Sequence, residues 1–234
     1  MIGDVIGRPG RWAVAEVLPN LRRELDLDVV IANGENSAGG FGITPDTANE
    51  LFEAGVTVIT SGNHVWDQRA IVPYLDEGWP ILRPLNYPPS VPGKGFCLID
   101  NLLVVNIMGR VFMQAIDCPF RAMDQLLGEL DGSPNIVIVD FHAEATAEKQ
   151  SMGWYLDGRA TAVIGTHTHV PTIDLRILPN GTGYASDAGM VGPKLSVIGS
   201  DPQVALQRLL TQTPQRLSVP STKPIVFNSV LIEV

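Results

Sequence analysis

All four histidines of this chain, His64, His142, His167 and His169, stand just past short apolar runs. The runs are Val56-Thr57-Val58-Ile59-Thr60, Asn135-Ile136-Val137-Ile138-Val139-Asp140 and Thr161-Ala162-Val163-Ile164. Two other segments deliver acids in the same way. Asp4 stands between glycines at the opening of the chain, and Asp28-Val29-Val30-Ile31-Ala32-Asn33 runs straight into Gly34-Glu35-Asn36. Short runs of this kind, bounded by glycine and polar residues, read as buried strands. Separated by helical patterns, they predict an α/β fold. In layered α/β folds, ligand sites collect beyond the carboxyl ends of the strands. The pattern therefore nominates Asp4, Glu35, Asn63, His64, His142, His167 and His169 as one site. Each residue alone is compatible with a turn or a cap; the joint placement is not readily accidental.

The run Gly165-Thr166-His167-Thr168-His169 is the densest part of the pattern. An i, i+2 pair in extended backbone sends both side chains to one face. Two imidazoles at one strand tip then reach a common point, or two points a few ångströms apart. Imidazole suits zinc, copper, iron and nickel. The alternative is a pair of surface histidines in a turn. The residue types together fit a dinuclear centre, in which a carboxylate bridges two cations, imidazoles fill their shells and open positions receive water and substrate. Mixed nitrogen and oxygen ligation favours iron, manganese, zinc or nickel over magnesium or calcium.

The rest of the chain reads as follows. A helix is predicted over Gly10–Asp26, kinked or broken at Pro19. The lead before Asp4 is too short for a full strand, so a stub or a truncated start is expected. Thr44-Pro45 starts a second helix, with Thr44 as its cap. Another helix is expected over Asp67–Glu77, and a strand pair over Phe96–Met108 turns at Asp100-Asn101. Helices follow over Pro119–Leu130 and Glu144–Gly158. Strand signals occur at Ile173–Ile177 and Gly183–Ser186, then a helix at Pro202–Thr211 and a closing strand at Ile225–Val234.

The length of 234 residues suits one domain spanning the chain. Its apolar content is 45% with only 6% aromatic, the mix of strands buried under helices. A net charge of −9 without a Lys/Arg run argues against extended nucleic-acid binding. Cys97 and Cys118 have no CxxC partner and are expected as free thiols of a reducing compartment. No leader pattern and no apolar span of membrane length is visible, so a soluble, cytoplasmic protein without membrane attachment is predicted. A homo-oligomer is compatible with the sequence.

These motifs, in this order, resemble those of the calcineurin-like metallophosphoesterases, and more narrowly the YmdB-like branch. The matching stretches are GDVIGRPGR, NGENSAGGFGIT, TSGNHVWD, DFHAEAT, MGWYLDGR, GTHTHVPT and SDAGMVGP, from Gly3 to about Pro193. The resemblance implies a four-layer α/β/β/α sandwich with mixed sheets. It also implies two divalent or trivalent metal ions, iron foremost, with manganese or zinc as alternatives. Asp4, Glu35, Asn36 and His169 would hold one ion; Glu35, Asn63, His142 and His167 would hold the other. Glu35 would bridge them, and His64 would protonate the leaving oxygen as general acid. The implied activity is phosphodiesterase action on 2′,3′-cyclic nucleotides or related small phosphodiesters. Alternatives are a phosphomonoesterase or nucleotidase on the same centre, or a non-catalytic metal-binding regulator. The chain departs from the broader superfamily at Ile6, where many relatives have histidine, at Glu35 in place of aspartate, and at Val65 in place of an acid. These departures are those of the YmdB-like branch.

Further residues carry two readings each. The loop Ser37–Gly42 either faces the ligand or simply connects strand to helix. Arg110 either neutralises phosphate or joins a surface ion pair. Asp187 is a candidate second partner of a histidine. Trp66 and Trp154 are expected in the core, as is Cys118.

Overall fold

A computed structural model describes residues 1–130 and 134–234. Six strands form one mixed sheet: β4 (Phe96–Ile99), β5 (Leu102–Met108), β6 (Ile136–His142), β7 (Ala162–Thr166), β9 (Gly183–Ala185) and β8 (Arg176–Ile177), in that spatial order. The four inner strands β5, β6, β7 and β9 are parallel, and the two edges are antiparallel. A second group pairs β1 (Asp4–Val5) with β10 (Met190–Pro193) and β11 (Ile225–Phe227), and β2 (Ile31–Asn33) with β3 (Val58–Thr60). A bridge from Ile2 to Ala32 joins these two pieces.

The strands are apolar on both faces, and their period of two sorts the residues among three cores. Val104, Ile138, Ala162 and Ile164 of the six-stranded sheet meet Ile31 and Val58 of the second group. Their neighbours in sequence face the other way. Leu103, Val105, Val137, Val139, Phe141 and Val163 pack with Met123 and Leu126 of α3 (Pro119–Glu129) and Met152 of α4 (Thr146–Tyr155). Ala32 and Ile59 pack with Val14 and Leu18 of α1 (Gly7–Glu24) and Ala48 and Leu51 of α2 (Pro45–Glu53). The same alternation decides the polar residues. Asn33, Thr60, Asn106, Asp140, His142 and Thr166 lie an even number of positions from members of the inter-sheet core, and all are buried. A polar layer thus closes the inter-sheet core at the carboxyl ends of the strands.

Several expectations need correction. Helix α1 runs through Pro19 without a break. Pro19 lies on the exposed side, where the carbonyl it leaves unpaired is open to water, while Val14 and Leu18 anchor the inner side. The segment after Asp67 is a 3₁₀ helix, Arg69–Leu75, with Pro73 inside it. Strand β10 was not expected, because Gly192 and Pro193 read as breakers; it pairs with β1 on one side and β11 on the other. The closing strand is limited to β11. Trp154 is 55% exposed rather than in the core, and Cys118 is only half-buried. Trp66 packs on the core beside Tyr87 as expected, and both cysteines are free. The helix α5 (Pro202–Thr211) has the predicted bounds, with Asp201 accepting from Gln203 N and Val204 N as its cap. Thr44 caps α2 with a reciprocal capping box to Thr47.

Candidate metal centre

The tips of β1, β2, β3, β6 and β7 deliver the nominated residues to one place. The His142 imidazole, on the last residue of β6, is fully buried. Its Nε2 lies 3.0 Å from Glu35 Oε1, 3.1 Å from Asn63 Oδ1 and 3.0 Å from His167 Nδ1. Glu35, His142 and His167 offer ligand atoms all within 4.8 Å of one another. Next to them, His169 Nε2 lies 3.5 Å from Asp4 Oδ1 and 3.2 Å from Asn36 Nδ2, and Asn36 Nδ2 is 3.5 Å from Glu35 Oε1. Glu35 therefore touches both groups. As placed, Asn36 presents its amide nitrogen; a half-turn of the amide presents Oδ1 instead.

A cation fits this arrangement. Glu35 Oε1 and Asn63 Oδ1 are acceptors, and the facing imidazole nitrogens cannot all carry protons toward one another. Asp4 Oδ1 is buried and makes no hydrogen bond among the described residues, with His169 Nε2 3.5 Å away, a costly state for a carboxylate oxygen. The electrostatics agree. Burial acts to raise the Asp4 carboxyl, but His169 and His142 outweigh it and hold it well below the usual carboxylate range. Glu35 is lowered in the same way, its burial outweighed by His142. Burial depresses His169, yet Asp4 opposite it lifts the imidazole to about 9. His142 is raised because Glu35 overcomes its burial. His167, buried and facing the His142 charge, is pushed down to about 3. The pocket favours positive charge at its centre, and mixed imidazole and carboxylate donors suit a transition metal or zinc.

The histidine pair departs from the extended-strand expectation. Strand β7 ends at Thr166, and His167 and His169 take φ of 95° and 66°. These are left-handed values that cost about 1–3 kcal/mol per residue. The two rings consequently serve two points rather than one. Thr168 between them is pinned by Asp187, whose Oδ2 accepts from Thr168 N at 3.0 Å and Thr168 Oγ1 at 2.6 Å. Asp187 is thus a partner of the loop residue, not of a histidine ring. Its charge is balanced by buried Lys149 Nζ at 2.7 Å. Replacing Lys149 with methionine leaves a buried carboxylate uncompensated and should cost about 3–5 kcal/mol in chemical denaturation; an unchanged midpoint would refute that weight.

His64 lies beside the centre. Its backbone N–H donates to Glu35 Oε2 at 3.0 Å, its Nδ1 pairs with Asp67 Oδ2 at 2.8 Å, and its ring stands edge-on to Phe41 with centroids 5.1 Å apart. A cleft of about 250 Å³ opens over the site. Its lining includes the polar residues Glu35, Asn36, His64, His167 and His169 and the apolar residues Ile6, Phe41, Ile198, Leu217 and Val219. Gly40 and Phe41 of the glycine-rich loop are in this lining, so that loop does face the cleft. Ile6, at the position of the missing histidine, is part of the apolar wall. Arg110 is exposed, with no ion pair among the described residues, and does not line the cleft. The sequence reading missed three groups: Glu144, whose Oε2 is 3.0 Å from His167 Nε2; the Ile198 carbonyl, 2.8 Å from His169 Nδ1; and Leu217–Val219. The last fall in the part of the chain without motifs, and only the three-dimensional return of that segment reveals them.

Comparison with known proteins agrees with this geometry. The chain is 42% identical to a 2′,3′-cyclic-nucleotide 2′-phosphodiesterase of Bacillus subtilis, over 98% of this chain and 89% of that protein. It is 36% identical to a putative phosphatase/phosphodiesterase of Mycoplasma genitalium, over 100% of this chain and 86% of that one. Among solved structures, a hypothetical protein from Thermus thermophilus superposes with a TM-score of 0.91 at 48% identity, covering 97% of this chain and 89% of that one. A novel phosphatase from Mycoplasma pneumoniae superposes with a TM-score of 0.86 at 34% identity, covering 94% and 82%. The model of the family described as "YmdB-like protein" matches residues 1–234, and the chain belongs to that family.

Proposed function

We propose that this protein is a metal-dependent phosphoric diester hydrolase acting on 2′,3′-cyclic nucleotides. The observation that carries the reading is the meeting of Glu35, Asn63 and His167 within 3.0–3.1 Å of one imidazole nitrogen of His142, beside an Asp4 oxygen that makes no hydrogen bond among the described residues. The Bacillus subtilis relative, named for that activity, supplies the substrate class. Asp4, Glu35, Asn36 and His169 would hold one ion, and Glu35, Asn63, His142 and His167 the other, with Glu35 shared. Iron is the expected metal, with manganese or zinc as alternatives. We read the whole chain as one domain and its three apolar cores as the interiors of a four-layer α/β/β/α sandwich. The free thiols fit a cytoplasmic enzyme.

When bound, the two cations supply charge neutralisation for the phosphoryl oxygens and a water acidified toward neutrality. The chain's own residues do the rest. Glu35, fixed by the His64 backbone, sets the spacing of the site. Asp67 occupies His64 Nδ1, leaving Nε2 to hold the proton and pass it to the departing ribose oxygen. Ile6, Phe41, Leu217 and Val219 supply the apolar part of the cleft lining and disfavour water there.

The test is elemental analysis of protein purified without added metal, followed by assay on cyclic nucleotides, linear diesters and monoesters. About two metal ions per chain and a preference for the cyclic diester are expected. Turnover of monoesters alone would favour a phosphatase, a class named for the Mycoplasma relatives. Metal binding without turnover would favour a regulator.

A further inference from the structure

A second set of buried groups lies beneath His142, and the mechanism above does not use it. His142 Nδ1 is 2.9 Å from Thr166 Oγ1, and Thr166 Oγ1 donates to Asp140 Oδ1 at 2.7 Å. A hydroxyl has one hydrogen. With that hydrogen spent on Asp140, Thr166 accepts from His142 at 2.9 Å, which places a proton on Nδ1; the Asn33 amide also approaches this nitrogen, at the longer distance of 3.4 Å. The other Asp140 oxygen accepts from the Thr60 hydroxyl and from Asn33 Nδ2 at 3.2 Å, which keeps the carboxylate facing Thr166. Asn33, Thr60, Asp140 and Thr166 are all fully buried. The strand register supports the geometry: His142 is opposite Thr166 across the parallel pair β6–β7.

We propose that Thr166 and Asp140 are positioning residues for the metal centre. They lock His142 with its proton on Nδ1 and so hold the Nε2 lone pair toward Glu35, Asn63 and His167. The inference rests on reading that cluster as a metal centre. It assigns an orienting role to a buried carboxylate two residues before the ligand on the same strand. The arrangement differs from that of the other two rings. Glu144, which is half exposed, faces His167, and a backbone carbonyl faces His169; His142 is instead held through a hydroxyl to an interior charge.

The experiment uses zinc-loaded full-length protein with ¹⁵N-labelled histidine and long-range ¹H–¹⁵N spectra at neutral pH. In the wild type, His142 should show a protonated Nδ1 and a zinc-bound Nε2. Thr166→Val should lower zinc affinity about 10–100-fold in chelator competition and move the Nδ1–H proton resonance upfield, away from its hydrogen-bonded position. Thr166→Ser, which keeps the hydroxyl, should restore both. A wild-type ring bound through Nδ1, or unchanged zinc affinity in Thr166→Val, would overturn the proposal. Should the valine variant not fold, the wild-type Nδ1–H decides: a downfield, slowly exchanging resonance supports the hydrogen bond to Thr166, and a free-imidazole position overturns it. Failure of the wild type to take up any metal would instead bring down the metal-centre reading itself, and this inference with it.

Discussion

Replacing His64 with alanine lowers kcat on a 2′,3′-cyclic nucleotide by about 10²–10⁴-fold and leaves metal content unchanged. The separation follows from the contacts. The hydrogen bond from residue 64 to Glu35 runs from the backbone N–H, at 3.0 Å, and alanine keeps it. What alanine loses is the ring between Asp67 and Phe41, the group proposed to carry the proton. A ribose alkoxide is a poor leaving group and needs that proton; a nitrophenolate does not. The loss should therefore shrink sharply on a bis-nitrophenyl phosphodiester. An equal loss on both substrates would mean that His64 binds substrate and does not protonate it.

The second large effect is at a residue without functional groups. Gly62 precedes Asn63 and His64, and a Cβ there would stand 2.1 Å from His142 Cδ2 and 2.2 Å from its Nε2. The imidazole lies directly on the Gly62 backbone, so Gly62→Ala must displace the ring or the loop. A displacement near 1 Å in a reacting geometry costs about 10²-fold in rate. The clash falls on His142, the proposed ligand that meets Glu35, Asn63 and His167, so metal occupancy should drop as well. Fold stability should change by only about 1–3 kcal/mol, the usual cost of overpacking. Elemental analysis beside a melting curve separates the two effects. Full metal content with near-normal activity would show that the loop relaxes freely.

The sequence made the site legible for a simple reason. Strands buried on both faces read as apolar runs, and the polar residues within a few positions of each run's end mark a strand tip. Glu35, Asn63, His142 and the His167–His169 pair follow from that rule, and Asp4 from the glycine beside it. The details that escaped are those in which tertiary context overrides local pattern. Met190–Pro193 forms a strand in spite of Gly192 and Pro193, because β1 and β11 flank it and Val191 is fully buried. The His-Thr-His run leaves the extended state because Asp187 grips Thr168, and nothing in the local sequence announces a partner 19 residues away. Asp140 was visible as the end of an apolar run. Its orienting position depends on strand register, which no one-dimensional pattern supplies. The wall of the cleft built by Leu217 and Val219 is likewise a product of where the chain returns, not of any motif.

The contact between Glu35 Oε2 and the His64 backbone has a consequence for how this enzyme can fail. One carboxylate has its two oxygens committed to different tasks: one faces His142, the other accepts from the backbone of the loop that carries His64. Electrostatic and mechanical roles are thereby soldered into a single side chain. A change that moves the Glu35 carboxylate should therefore disturb both the histidine cluster and the position of His64, whereas a change confined to the His64 ring should not.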